Sequence, residues 1–226
     1  MALSPSQIHV LEQAINNYRF PLEYYDFSLA PAANPRLASS IQHLESAIYM
    51  DLTSNVPARI EEGLANIIYW GNAGAGYRQH RFSSFLNKIK RFHPYSDLSS
   101  LRLAGAVSLG RIKKLGYPGY SGISFVSKVL MFLDPQNFCV LDLQISKLGV
   151  PGRSIGRALD LLKVNPTIIP ISAHNEKVYN LWREECGLIS SAYYSGTYRV
   201  ADVERGFFEL IRSGRLSDAI DIYAAF

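Results

Sequence analysis

The chain has 226 residues, of which 48% are hydrophobic and 19% are charged, and its formal net charge is +4. This length suits one large domain or two small lobes, and the apolar fraction excludes a disordered chain. The mild positive charge is compatible with a nucleic-acid partner but does not require one.

Helical signals dominate the first half of the chain. Ser4, Pro5 and Gln7 predict a helix start in which Ser4 and Gln7 form a capping box. Residues 19–35 contain three prolines and are expected to form a loop. Apolar residues at helical spacing predict four further helices, which begin near residues 35, 57, 77 and 96.

The second half continues this pattern. A glycine-rich turn is followed by an apolar helix that carries Phe125 to Leu133, a Pro-containing loop and a short helix that ends at Leu148. One further helix is predicted to contain Ile155, Leu159 and Leu162, and another to follow a cap at Ser172. Two more are predicted over 200–212 and 215–225. Residues 165–171 are expected to be extended. About ten helices and no convincing strand pair predict an all-α fold.

The sequence contains no pattern of residues typical of a metal site or of a membrane-spanning segment. The two cysteines form no close pair, and the histidines show no metal-ligand spacing: His9, His43, His80, His93 and His174. We therefore expect no metal and no cofactor. The N-terminus lacks a signal-peptide pattern, and no apolar stretch approaches the ~18 residues that span a bilayer. A cytoplasmic protein, nucleoid-associated in a bacterium, with no membrane partner is expected.

The turn between residues 116 and 122 is a candidate binding element for double-stranded DNA. Its glycines permit positive φ and close approach of a partner, and the amides of the next helix would face an anion such as a phosphate. Basic residues just upstream would add attraction that depends on salt. An ordinary helix–turn–helix corner is the alternative. The predicted DNA contacts are Lys113, Lys114, Gly116, Tyr117, Gly119, Tyr120, Ser121, Gly122 and Lys147.

The helix after this turn has a small polar face. Ser124, Ser127, Lys128 and Met131 are spaced so that they share one side, opposite the apolar residues. A lysine between serines is more polar than packing requires. Alternatively, Lys128 extends from a half-buried helix to water.

These residues resemble the helix-hairpin-helix DNA glycosylase superfamily, which includes endonuclease III and the 8-oxoguanine DNA glycosylases. The family has a Leu-Pro-Gly-x-Gly-like hairpin, a helix and then Val-Asp-x-His-Val-x-Arg. Here the second part reads Leu141-Asp142-Leu143-Gln144-Ile145-Ser146-Lys147. The acid, the apolar residue and the basic residue match, and Gln144 replaces the histidine. The match covers about 30 residues. Within the superfamily, the chain most resembles the 8-oxoguanine glycosylase-like bacterial proteins.

The resemblance implies specific catalytic residues. Asp142 would stabilise the positive charge that develops on the sugar and activate water. From the residues alone, a helix N-cap is the favoured interpretation of Asp142, and the resemblance shifts the preference to catalysis. The hairpin has one extra residue between its last two glycines. The position of the family's nucleophilic lysine falls on Ser124, with Lys128 one helical turn later. Lyase activity, through Lys128, is left open.

A flipped base needs a pocket with aromatic faces and polar edges. The predicted pocket residues are Tyr69, Trp70, Tyr77, Arg78 and Trp182. Core packing is the alternative for each of them.

The sequence thus predicts a monomeric DNA glycosylase over residues 1–226, with two helical lobes around a cleft. The lobes would be 55–148 and 1–54 plus 149–226. Its substrate would be a damaged or modified base, with an oxidised purine as the guess. A glycosylase against phage-modified bases, acting in defence, and a non-catalytic DNA-binding module are the alternatives.

Overall fold

The computed structural model describes residues 2–92, 94–153 and 156–226, with only the backbone of Tyr95. The described residues form ten α-helices, and this confirms the predicted all-α class. The helices are α1 (Pro5–Asn16), α2 (Ile41–Leu52), α3 (Pro57–Gly71), α4 (Arg78–Ile89), α5 (Pro94–Leu103), α6 (Leu109–Lys114), α7 (Ile123–Leu133), α8 (Ala173–Tyr194), α9 (Val200–Arg212) and α10 (Leu216–Ala225). Short 3-10 helices span Pro31–Ala33, Ile145–Leu148 and Ala158–Leu161.

Serine caps set several helix starts, as expected from the sequence. The hydroxyl of Ser4 accepts from the Gln7 amide, and the Gln7 side chain accepts from the Ser4 amide, which completes the capping box. Ser172 caps α8 by accepting from the Asn175 amide. The predicted starts of α1 and α8 are confirmed.

One predicted helix begins at a different residue, and another is divided into two helices. The second helix begins at Ile41, because Arg36–Leu37 pairs with Glu23–Tyr24 as a two-residue antiparallel ladder (β2 with β1). The sequence analysis missed this strand pair. The helix predicted from residue 96 through Leu109 is two helices, α5 and α6. The chain breaks at Gly105, which has a φ of +59°, and Ser108 caps α6.

The helix predicted around Ile155 is reduced to the 3-10 turn Ala158–Leu161, and Ile155 itself lies outside the described residues. Its neighbours fix this region through loop contacts: the Asp160 carboxylate accepts from the amides of Arg157 and Val150. A carboxylate that serves two loop amides competes with a continued helix.

Helix α7 lies at the centre of the core. Its buried residues include Val126, Val129 and Leu130, and the helix packs against α2, α3 and α6. A central helix has restricted freedom because neighbours constrain it on several sides. The side chains that α7 presents to cavities are therefore held in place. Among the described residues, no helix is long and apolar enough to cross a membrane. The division into two lobes stays a prediction.

Candidate active site

Helix α7 and the segment after it bring Lys128 and Asp142 together. The Lys128 Nζ lies 3.8 Å from Asp142 Oδ2. The neighbouring residues tie the two segments, because the Leu141 amide donates to Ser127 Oγ at 3.1 Å. Helix α8 supports the same segment from behind: Tyr179 and Trp182 donate to the carbonyls of Cys139 and Val140. The position of Asp142 is thus determined by buried hydrogen bonds.

Asp142 caps a helix and also faces a cavity. Its Oδ1 accepts from the amides of Gln144 and Ile145 at 2.9 and 3.1 Å, at the start of the 3-10 helix Ile145–Leu148. Its Oδ2 is the atom nearest Lys128. The hydrogen bonds to Oδ1 support the cap, and the catalytic role stays a prediction.

Lys128 is buried, with only 5% of its surface exposed. Its Nζ donates to the Ser124 carbonyl at 3.0 Å and lies 5.3 Å from the Phe125 ring centre. Burial lowers the pKa of Lys128, and the negative charges of Asp142 and Glu204 oppose that shift. The alternative in which this lysine extends to water is wrong. A lower pKa leaves more of the neutral amine, which is the nucleophilic form.

One cavity, which we call the outer cavity, has a volume of about 860 Å³. It brings Ser124, Lys128 and Asp142 together with Gly119 and Gly122 of the hairpin. The face of α4 that lines it carries His80, Arg81, Ser84 and Lys88. The sequence analysis assigned none of these four residues to a site. A basic wall facing a glycine hairpin would attract a phosphate backbone.

A smaller cavity of about 280 Å³, the inner cavity, is also lined by Lys128 and Asp142. Its aromatic walls are Tyr18, Phe20, Trp70, Tyr77 and Phe208. Phe20 packs edge-on against Trp70 and Phe208, with ring centres 5.0 and 5.7 Å apart. Flat apolar walls of this kind accept a planar ring.

The two cavities share part of their lining. The shared residues are Gly71, Asn72, Tyr77, Lys128, Asp142 and Gln144. Gly71 has a steric role there, because a Cβ would meet Phe125 Cε1 at 2.7 Å and the Lys128 stem at 3.1 Å. A glycine at the end of α3 therefore lets Lys128 lie at the junction between the cavities.

Glu204, on α9, also lines the inner cavity and is only 3% exposed. Burial and the nearby charge of Asp142 raise the pKa of Glu204 to about 8, against opposing effects of Arg205, Lys128 and a hydrogen bond from the Val140 backbone. Burial therefore favours the protonated form of the Glu204 carboxyl.

The hairpin has the predicted backbone freedom but different side-chain positions. Gly116 and Gly119 have φ values of +71° and +83°. Ser121 is exposed and lines the outer cavity. The prediction that Tyr117 and Tyr120 contact DNA through their side chains is wrong. Both are buried, because the Tyr120 hydroxyl donates to the Leu64 carbonyl and the Tyr117 hydroxyl donates to Asp97.

The helix amide expected to bind a phosphate is partly occupied. Ile123 begins α7, and its amide donates to the Ile169 carbonyl at 3.0 Å. This contact belongs to the segment 165–171, which pairs with the hairpin at Gly122 and Pro170. The prediction of an extended segment is wrong for residues 165–168, where Asn165 and Ile168 pair across a tight turn, and only the end of the segment pairs with the hairpin. One expected phosphate donor is thus used internally.

The lysines predicted to bind DNA are exposed but lie outside the described lining of the outer cavity. Lys113 Nζ donates to the Ile171 carbonyl at 2.8 Å, and Lys147 Nζ donates to Gln144 Oε1 at 2.6 Å. Lys114 lies in the last turn of α6. Of the three, Lys147 contacts a residue of that lining, Gln144.

Only Trp70 and Tyr77 of the predicted base pocket line the inner cavity. Trp182 is fully buried against Phe207 and Tyr223, so its assignment is wrong. The structure places Tyr69 and Arg78 outside both cavities, and their role in a base pocket stays a prediction. The Arg78 guanidinium lies 3.5 Å over the Tyr69 ring centre and pairs with Glu23, so neither residue reaches the described lining of either cavity.

The sequence analysis missed Tyr18, Phe20, Glu204 and Phe208. One signal pointed to Glu204: it is an acid among the apolar residues Val203 and Phe207 of a strongly amphipathic helix. Burying a carboxylate there is costly unless something specific requires it. The aromatic residues of the N-terminal loop carried no comparable signal.

Within the described part of the chain, no group of three or more His, Cys, Asp or Glu residues is arranged to hold a metal ion. In comparisons with known proteins, no family model, no curated protein and no solved structure matches this chain.

Proposed function

We propose that the protein is a DNA glycosylase that hydrolyses the bond between a modified base and its sugar. The observation that carries the proposal is the place of Lys128 and Asp142, at the junction of a basic outer cavity and an aromatic inner cavity. Duplex DNA would lie along the outer cavity, and the extruded base would occupy the inner cavity.

Binding would rest on the outer cavity. Arg81 and Lys88 of α4 face the hairpin glycines across it, and both cations are exposed. Such charges attract phosphates without reading sequence. Extrusion of the base would then turn the sugar towards the shared residues, because the two cavities meet there.

Chemistry would rest on Asp142. Cleavage of the glycosidic bond develops positive charge on the sugar, and a fixed carboxylate next to that charge lowers the barrier. Two backbone amides hold Oδ1, so Oδ2 is left to face the sugar and a water molecule. Lys128 lies beside it with a lowered pKa and would act as the second polar group of the site.

The test is base excision from synthetic duplexes. Each duplex carries a single 8-oxoguanine, hypoxanthine, uracil or 5-hydroxymethylated pyrimidine, and alkali reveals excision. We expect Asp142→Asn to lower excision by about 10²-fold or more, as loss of a transition-state contact does. Asn retains an oxygen for the cap, so the melting temperature should change little.

Asp134→Asn is the matched control. Asp134 also accepts hydrogen bonds in a turn, from Asn137, but it does not line either cavity among the described residues. Excision should be unchanged in this variant. Duplex binding without excision of any base would refute the enzyme and favour the non-catalytic binding module. Excision confined to the hydroxymethylated pyrimidines would favour the defence alternative.

A further inference from the structure

Tyr77 is a large aromatic residue that the fold leaves open to solvent. It is 53% exposed, although it lines both the outer and the inner cavity. The Arg81 guanidinium lies 4.6 Å from the centre of the Tyr77 ring. No aromatic ring in the described part of the chain pairs with it. A half-exposed ring at the border of a candidate site is available to a planar partner.

The backbone that carries Tyr77 is anchored on both sides of the ring. Arg78, the next residue, donates from Nε to the Tyr69 carbonyl at 2.9 Å and pairs with Glu23. The Tyr77 carbonyl accepts from the Arg81 amide at 3.0 Å, in the first turn of α4. The exposed ring is thus attached to a fixed backbone, which lowers the conformational entropy lost when a partner binds.

We propose that the Tyr77 ring stacks on the bases that flank the extruded base and fills the gap that it leaves in the duplex. This inference rests on the proposed function, in which duplex DNA lies along the outer cavity and the base passes into the inner cavity. A residue that lines both cavities lies where the base leaves the stack. Tyr77 is then a DNA-contacting residue that touches neither the base removed nor the bond that breaks.

Stacking by this ring offsets part of the cost of extrusion. A base that leaves the duplex loses contact with both neighbours, and an aromatic side chain against those neighbours restores part of the lost contact. Among the described residues that both cavities share, Tyr77 is the only aromatic one. Arg81, which lies over the same ring, brings a cation towards the adjacent phosphates.

The test is the affinity for a duplex that already contains such a gap. One duplex is intact, and the other carries a tetrahydrofuran analogue of an abasic site at a single position. The analogue has no base to enter the inner cavity and no aldehyde to react with Lys128, so the measurement reports stacking without chemistry. In fluorescence anisotropy, we expect the wild type to bind the abasic duplex about tenfold more tightly than the intact one, or better.

Three variants test the role of the ring. Tyr77→Ala should lose most of the preference for the abasic duplex, whereas Tyr77→Phe, which keeps an aromatic face, should retain it. Tyr49→Ala is the matched control: Tyr49 is another exposed tyrosine, at 44%, and lies outside the described lining of both cavities. It should bind like the wild type. All three variants change an exposed side chain, so their melting temperatures should stay close to that of the wild type.

Two further readouts separate stacking from attraction by charge. Tyr77→Ala removes no charge, so the slope of log K against log salt should be the same as in the wild type. A 2-aminopurine placed next to the abasic position reports stacking directly, because its fluorescence falls when an aromatic ring covers it. It should fluoresce more weakly in complex with the wild type than in complex with Tyr77→Ala.

The inference is overturned if the wild type shows no preference for the abasic duplex, or if Tyr77→Ala keeps that preference. Weaker binding of Tyr77→Ala only to duplexes with a modified base would also overturn it, since the ring would then be a wall of the base pocket. The two proposals fail separately. Excision by a wild type that has no preference for the abasic duplex would refute the stacking role alone. A preference that Tyr77→Ala abolishes, without excision of any base, would refute the glycosylase alone.

Discussion

Lys128 Nζ lies 3.8 Å from Asp142 Oδ2, although the two residues are fourteen positions apart in the chain and a proline-containing loop lies between them. The residue before each one makes the connection, because Ser127 Oγ accepts from the Leu141 amide. The lysine is buried and the carboxylate is partly open to the cavities. Lys128 has a lowered pKa, and Oδ1, the other oxygen of Asp142, is held by two backbone amides.

Lys128 should form a covalent adduct with the sugar after base loss. Its lowered pKa favours the neutral amine, and the amine lies at the junction of the two cavities. With a duplex that the wild type cleaves, borohydride should trap a protein–DNA complex, and Lys128→Met should give none. Lys147→Met is the control, since Lys147 is an exposed lysine nearby. Equal trapping in Lys128→Met would rule out this nucleophile.

Ser127→Ala should impair both stability and catalysis. The substitution leaves the buried Leu141 amide without its acceptor, which costs about 1–3 kcal/mol in the free energy of unfolding, measured with urea. Because Asp142 follows Leu141, kcat should fall more than KM changes. Ser191→Ala is the comparison, since the exposed Ser191 hydroxyl bonds only to its own helix. A large loss of stability with unchanged kcat would show that Ser127 has a structural role alone.

The basic face of α4 should bind phosphates. Replacing both Arg81 and Lys88 by alanine should weaken binding to any duplex sequence and lower the slope of log K against log salt by about one for each cation. The measurement is fluorescence anisotropy at several salt concentrations. Arg215→Ala should leave the slope unchanged, since Arg215 pairs with Asp218 at the start of α10. An unchanged slope in the double variant would place the DNA elsewhere.

Glu204 should make the stability depend on pH. Folding raises its pKa from the ordinary value of 4.5 to about 8, so the folded protein binds more protons between these pH values. The free energy of unfolding therefore falls as the pH rises from 4.5 to about 8. Above that pH, Glu204 causes no further loss. The loss between pH 6 and pH 9, measured by urea unfolding, should be smaller in Glu204→Gln. Equal losses would mean that Glu204 is charged throughout.

Local signals predicted much of the scaffold. The capping box of Ser4 and Gln7, the cap at Ser172 and the last two helices were recognisable because each depends on residues a few positions apart. The start of α2 was misplaced because a strand pair between Glu23–Tyr24 and Arg36–Leu37 depends on a partner segment. Periodicity identifies an apolar face but does not say what covers it.

The candidate site divides in the same way. Asp142 stood out because it ends an apolar run and precedes a short helix, and this pattern is local. The tyrosines of the hairpin were misassigned because their acceptors, the Leu64 carbonyl and Asp97, lie on other helices. Trp182 was misassigned for the same reason, since it packs against residues of α9 and α10.

The sequence by itself determined the helical class, most helix starts and the candidacy of Asp142 and Lys128, because those follow from the spacing of near neighbours. Only the tertiary structure decided what surrounds them. Tyr18 and Phe20 reach the inner cavity from the N-terminal loop, and Glu204 reaches it from a helix near the other end of the chain. A cavity depends on which distant surfaces fail to fill the space between them, and burial there also raises the pKa of Glu204.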